Sequence, residues 1–261
     1  MKIGICENSF IPLRVGISHK SEMLNQVLFG EMFEILIHRS DWTKIRLIHD
    51  DYEGWVDTNV ITILDEFEEV GKDYISKMSI CAQKELCLKI NNTQSIKAPI
   101  GAILPLKSVD DKLFQIKNKK YSFSSASLAK KDENIREIIA ENAKSLLNTP
   151  YLWGGRTAWG IDCSGFTQML YRLIGIYLPR DASKQISGGT TLNFLSEAQA
   201  GDLAFFDNDE GEIVHVGIIL DNSTIIHASG KVRLDTIDHQ GIYNRSLKRY
   251  THELRVIKSL I

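Results

Sequence analysis

The sequence predicts an α+β chain in three parts, residues 1–65, 66–126 and 127–261. Three observations predict it. The first 126 residues break into short apolar runs separated by turn residues, the pattern of small antiparallel β modules. Residues 132–147 and 163–174 carry apolar side chains at helical spacing. Residues 201–228 then return to strand patterning, with one short turn between two apolar runs.

The composition supports a folded, core-forming chain: 43% of the 261 residues are hydrophobic and 25% charged, enough for one large domain or two to three smaller ones. A net charge of −2, with no long basic run and no interleaved aromatic and basic patch, argues against nucleic acid as a partner. The first residues, Met-Lys-Ile-Gly-Ile-Cys-Glu-Asn, lack the apolar core and cleavage site of an export signal. No run approaches 18 apolar residues, so no membrane span is expected. Cys6, Cys81, Cys87 and Cys163 are scattered, and the five-residue gap in the Cys81/Cys87 pair fits neither a C-x-x-C metal site nor a disulfide framework. Cys6, Cys81 and Cys87 read as reduced core residues of a cytoplasmic protein, although an exported protein lacking its signal peptide in this chain would look the same.

In the first module, Glu34-Ile35-Leu36-Ile37, Trp42-Thr43-Lys44-Ile45-Arg46-Leu47 and Gly54-Trp55-Val56 are strand candidates. Trp42, Lys44 and Arg46 alternate with Thr43, Ile45 and Leu47, as on a half-buried strand, and Trp55 follows a turn as a large anchor. The stretch from Phe29 to Leu36, with Trp42 and Gly54-Trp55-Val56, resembles bacterial SH3-like domains of cell-wall proteins, which implies a binding or positioning element. The second module repeats the style without the tryptophans. Ser79-Ile80-Cys81-Ala82, Leu86-Cys87-Leu88-Lys89-Ile90 and Leu113-Phe114-Gln115-Ile116 are its strands, and Pro99 and Pro105 confine the run between them to an edge or loop. The serine-rich residues 121–127 read as a boundary.

The third part opens with a helix over 132–147, ended by Asn148-Thr149-Pro150. Tyr151 and Trp153 follow as candidate walls of a site, before Gly154-Gly155, which let backbone approach closely. Then comes Asp162-Cys163-Ser164-Gly165-Phe166. Phe166, Met169, Leu170, Leu173 and Ile174 form one helical stripe, Gly175 is a C′ residue and Asp162 an N-cap. Cys163 therefore stands at a helix start, where free N–H groups and the dipole favour a thiolate and can hold an oxyanion. Farther on, if Leu220 pairs with Thr224 across Asp221-Asn222-Ser223, Gly217 lies opposite His227, and His215 shares a face with His227. His215 is then a candidate general base for Cys163, with His227 fixing its tautomer. His19, His38, His49, His239 and His252 are assigned to the surface or local packing.

These residues carry a resemblance. Asp162-Cys163-Ser164-Gly165-Phe166, Gly201-Asp202-Leu203-Ala204-Phe205-Phe206, Val214-His215-Val216-Gly217-Ile218 and Ile226-His227-Ala228-Ser229-Gly230 are similar, in order over residues 130–261, to the NlpC/P60 family of cysteine peptidases. With two SH3-like β-barrels in front, the whole chain resembles bacterial γ-D-glutamyl-L-diamino acid endopeptidases. The resemblance implies a papain-like catalytic domain acting through a thioester, with no metal or other cofactor. It implies cytoplasmic recycling of peptidoglycan-derived peptides such as L-Ala-γ-D-Glu-diamino acid; the oligomeric state is left open, with a monomer favoured. It also implies that Glu22 and Tyr52, with Asp162 and Ser164, receive the free L-Ala amine, that Arg180 meets a substrate carboxylate as a bidentate pair, and that Asp181 positions it; the alternatives are Asp162 as a helix cap alone and Arg180/Asp181 as an exposed ion pair. Ala182 stands where relatives often carry serine after Arg-Asp, so one hydrogen bond to substrate is either missing here or supplied by Ser183. Two other classes remain open: a non-catalytic wall-binding protein, and an amidase or acyltransferase on the same thiol scaffold. A metal site of Cys163, His215 and His227 is a poor zinc set, with a lone thiol, two imidazoles and no clear second shell.

Overall fold

The computed structural model describes residues 2–64, 74–75, 78–91, 93–108, 110–129 and 134–261. It divides into two compact units, Met1–Ala129 with Arg156–Ala158, and Lys130–Gly155 with Trp159–Ile261. Among the described residues no helix is long and apolar enough to cross a membrane.

In the first unit, strands β1 (Ile3–Ile5), β2 (Phe10–Arg14), β3 (Met23–Leu28), β4 (Met32–His38), β5 (Trp42–Leu47), β6 (Glu53–Asp57) and β7 (Thr62–Ile63) form an antiparallel sheet in the order β3-β2-β6-β5-β4-β1-β7. The alternation read for Trp42–Leu47 holds: Thr43, Ile45 and Leu47 are buried, while Trp42, Lys44 and Arg46 are half-buried. The core of this sheet includes Leu13, Val27, Phe33, Ile45, Leu47 and Val56. Trp55 is half-buried beneath the Arg39 guanidinium, 5.1 Å from its ring, so the inward anchor on β6 is Val56.

The expected second barrel is not a separate body. Strands β8 (Ser79–Ile80), β9 (Glu85–Ile90), β10 (Gln94–Pro99), β11 (Ile103–Leu104), β12 (Leu113–Ile116) and β13 (Lys119–Ser122) give a four-stranded sheet, β10-β9-β13-β12, and a separate β8–β11 pair. Three contacts weld this segment to the first sheet. Phe29 meets Phe114 and Tyr121 edge-on, with centroids 6.2 and 5.4 Å apart. The Tyr121 hydroxyl donates to Glu7 at 2.5 Å. Gly30, at φ 79°, lies so close to the Ile103 carbonyl that a Cβ there would clash. The boundary expected at 121–127 also moves, because the Ala82 N–H donates to the Ser127 carbonyl and the Ala129 N–H to the Ile80 carbonyl, both at 2.8 Å. The boundary expected at 65/66 lies outside the described residues. Cys6, Cys81 and Cys163 are buried and free, but Cys87 is exposed on β9, a correction to its core assignment.

Strand β14 (Arg156–Thr157) also belongs to this unit. Arg156 is fully buried, donating to both oxygens of Glu31 at 2.9 and 3.0 Å and to the Gln26 carbonyl at 2.8 Å.

In the second unit, α1 (Ile135–Ser145) buries Ile139 and Ala143; the start of the helix expected from residue 132 lies outside the described residues. After it come β15 (Gly160–Ile161), α2 (Cys163–Leu173), the short α3 (Ala182–Gln185) and β16 (Thr190–Leu192). Strands β17 (Leu203–Asp207), β18 (Ile213–Asp221), β19 (Thr224–Ser229), β20 (Lys231–Ile237), β21 (Gly241–Asn244) and β22 (Arg249–Ser259) complete the antiparallel sheet β16-β22-β17-β18-β19-β20-β21. β21 also pairs with β22, so the six strands from β17 to β22 close on themselves. Helix α2 lies against β18 and β19, and the sheet core includes Ala204, Phe206, Ile219, Ile225, Ile242 and Ile257.

Candidate active site

Asp162 caps α2 as its sequence position predicts. Its backbone is extended, and its carboxylate accepts from the Gly165 N–H at 2.7 Å and from the Gly154 N–H at 2.8 Å. Gly175, at φ 81°, follows the C-cap Ile174. Cys163 is the first residue of the helix and is buried. Its thiol does not rest as the thiolate that the helix start alone suggests. Burial, together with the neighbouring Asp162 carboxylate, pushes it up to about 11, against the opposing pull of the Val216 and Ser164 N–H groups and Arg180. A neutral thiol needs a base.

The Val216 N–H that touches the thiol is the residue after His215 on β18. Gly217 pairs with His227, the register expected, although Leu220 does not pair with Thr224. A bulge at Leu220 makes Asp221 the partner of Thr224 and tightens the turn to Asn222-Ser223. His215 Nε2 and His227 Nδ1 stand 2.8 Å apart. A Cβ on Gly217 would come within 2.9 Å of the His227 Cβ, so the missing side chain makes room for the pair.

The chain of contacts continues beyond what was read from the sequence. His227 Nε2 lies 3.1 Å from Asp235 Oδ2 on β20, and Arg233 holds that carboxylate, Nη2 donating to Oδ1 at 3.0 Å. A readable signal existed: a tight turn at Gly230 pairs His227 with Arg233 and puts Asp235 diagonally across from it. His252 on β22 stacks on His215 with centroids 4.2 Å apart and planes at 28°, which corrects its assignment to the surface or to local packing. No local pattern reveals it, because its place depends on β17 pairing with both β18 and β22 and on a register shift at Phe205/Phe206.

Burial and the neighbouring imidazoles hold His215 well below the usual histidine range. Burial also lowers His227, with Asp235 opposing, and brings His252 to about 4. Burial works to raise Asp235, but bonds from His227 and Arg233 keep it below the usual carboxylate range. The site thus combines a neutral thiol, neutral imidazoles and an ionised carboxylate. The nitrogens of His215, His227 and His252 fall within 4.8 Å of one another, yet both nitrogens of His227 are already committed to His215 and Asp235. That arrangement passes protons along a line better than it cages a metal.

The other expected residues divide. Tyr151 lies near the thiol: its phenol is raised by burial and then by the charges of Cys163 and Asp162. Trp153 is 58% exposed, and Gly155 backs closely onto the Gly160 and Leu152 carbonyls. Arg180 is buried and turned inward, paired with both oxygens of Asp162 and donating to Ser164 Oγ at 2.8 Å. It braces the loop that leads into α2 through a bidentate pair with Asp162. Asp181 pairs with Lys184 at 3.1 Å, and Ser183, after the buried Ala182, is exposed. In the first unit, Glu22 is exposed just before β3, and Tyr52 is half-buried against the sheet core.

Residues 148–251 match the NlpC/P60 family model, and residues 13–61 match that of the bacterial dipeptidyl-peptidase SH3 domain. A γ-D-glutamyl-L-lysine dipeptidyl-peptidase of Bacillus cereus is 26% identical over 240 residues, covering 82% of this chain and 70% of that protein. One of Bacillus subtilis is 26% identical over 228 residues, covering 82% and 75%. A crystal structure of an NlpC/P60 family protein from Bacillus cereus superposes with a TM-score of 0.81 at 19% identity, covering 99% of each chain, a likeness of fold. The comparisons thus agree with the motifs that the cysteine and histidine segments display: this chain carries an NlpC/P60 domain at residues 148–251 behind a bacterial SH3 domain at residues 13–61.

Proposed function

We propose that the protein is a cysteine peptidase that hydrolyses the bond between γ-D-Glu and an L-diamino acid in cell-wall peptides beginning with a free L-Ala. The observation that carries this reading is the buried His215–His227 pair, 2.8 Å apart, on a strand whose next residue, Val216, donates its N–H to a thiol that starts a helix. His215 takes the proton of Cys163 as sulfur attacks the γ-carbonyl carbon, and the free N–H groups at the start of α2 hold the carbonyl oxygen as it becomes negative. The C–N bond breaks, His215 returns the proton to the leaving amine, and water then hydrolyses the thioester with His215 again as base. The γ-D-glutamyl specificity named for the relatives supports the choice of bond. Recognition of the amine by Glu22 and Tyr52, and a role in cytoplasmic recycling of murein peptides, rest on the sequence resemblance.

Mass spectrometry of L-Ala-γ-D-Glu-diamino acid tripeptide incubated with wild type and Cys163→Ala tests the reading. Wild type releases L-Ala-D-Glu and the free diamino acid, and the variant loses at least about 10³-fold in rate. Retained cleavage by the variant would overturn the thiol mechanism. Equal turnover of tripeptide with a blocked amine would remove the role given to Glu22.

A further inference from the structure

We propose that Asp235, anchored by Arg233, sets which nitrogen of His215 is free to accept the thiol proton, so that Cys163, His215, His227 and Asp235 act as one four-membered line. The protons of the line are fixed from its buried end. An ionised carboxylate only accepts hydrogen bonds, so the proton between Asp235 Oδ2 and His227 Nε2 sits on the imidazole. A neutral imidazole carries one N–H, which leaves His227 Nδ1 bare. The His215 Nε2 facing it at 2.8 Å must then be the donor. His215 Nδ1 is left as the bare nitrogen, the form a general base requires.

Remove the carboxylate and the direction is no longer fixed. An amide at position 235 can donate to His227 Nε2, and the line then reverses: His227 Nδ1 donates to His215 Nε2, and the His215 proton moves to Nδ1. That tautomer cannot take a proton from sulfur. Asp235 is the residue that distinguishes the two states, because His227 alone supports either. It is a positioning residue, acting through two imidazoles. The titratable groups that act on His215 are His227 on β19 and His252 on β22, and the charged groups that act on Cys163 are Asp162, the N-cap of α2, and Arg180; Tyr151 lies near the thiol, Arg233 and Asp235 on β20 stand behind His227, and β17 contributes the uncharged Phe206.

The test is the rate at which iodoacetamide alkylates Cys163 between pH 5 and 10, followed by peptide mass spectrometry, with the exposed Cys87 as internal reference. The inference extends the thiol-peptidase reading, but this measurement needs no peptide substrate, so it stands or fails separately from substrate identity. In Asp235→Asn, alkylation of Cys163 at pH 7 is expected to fall on the order of 10²-fold, with the gap closing toward pH 10, where hydroxide ionises the thiol directly. Cys87 is unchanged, and Asp235→Glu recovers part of the rate. In turnover of the tripeptide the same variant loses kcat with little change in KM. Profiles for a folded Asp235→Asn that superimpose on wild type would overturn the proposal. If that variant does not fold, Arg233→Met decides: a loss of about tenfold at pH 7 supports the proposal, and an unchanged profile overturns it.

Discussion

Cys163 and Asp162 show how one local signal fixes a position without fixing a charge state. The cap, the apolar stripe and the terminal glycine were all readable, because each depends on neighbours within one helix. The resting state of the thiol was not, because it depends on how deeply the fold buries it. The histidines carry a consequence at the same scale. His215, His227 and His252 all have lowered pKa values in the fold. Below about pH 6.5 the unfolded chain therefore binds more protons than the native one, and stability falls as the pH falls. Each wholly buried histidine contributes up to about 1.4 kcal/mol per pH unit over that window, down to its folded pKa. Thermal unfolding at pH 5 should give a lower Tm than at pH 7.5, and His252→Phe should flatten the dependence. Catalysis should follow the same sign: His215 stays neutral, so the acid limb of the rate profile lies below pH 6.5.

The β18–β19 hairpin illustrates the element scale. Its histidine register was legible from two strands and a short turn, even though the turn residues pair differently, because the bulge at Leu220 absorbs the offset before it reaches Gly217. Gly217→Ala introduces a Cβ 2.8 Å from Ile225 Cδ1 and 2.9 Å from the His227 Cβ. It should cost about 1–3 kcal/mol of stability and, by displacing His227, on the order of 10–100-fold in kcat. Urea unfolding and tripeptide turnover check the two effects. Helix α2 went further than its pattern implied: the stripe marks one apolar face, yet all 11 residues are buried. On the other side, the Thr167 hydroxyl donates to Gln185 Oε1 at 2.7 Å and the Gln168 amide to the Leu178 carbonyl at 3.0 Å. No hydropathy pattern announces such partners, since they arrive from the loop after α2 and from α3.

At the scale of the whole molecule, the α+β class and the β-rich first half were legible, but the separation of that half into two barrels was not. Sequence shows strands and turns; the contacts among Phe29, Phe114, Tyr121 and Glu7 that merge the two sheets are long-range and leave no periodic trace. The same holds for Arg156, which looks like the end of a glycine loop and is in fact a buried partner of Glu31. Arg156→Met removes both guanidinium bonds to the buried Glu31 carboxylate and should destabilise the first unit by about 3–5 kcal/mol, visible as a lowered unfolding midpoint. The chain comes back to that unit for residues 156–158 alone, a stretch inside the segment that matches the catalytic family. At the level of the gene, then, no single cut separates the two folding units: an exchange at residue 130 would transfer a domain while leaving one of its buried arginines encoded 26 codons downstream, so recombination can shuffle this SH3 module only by rewriting the peptidase sequence as well.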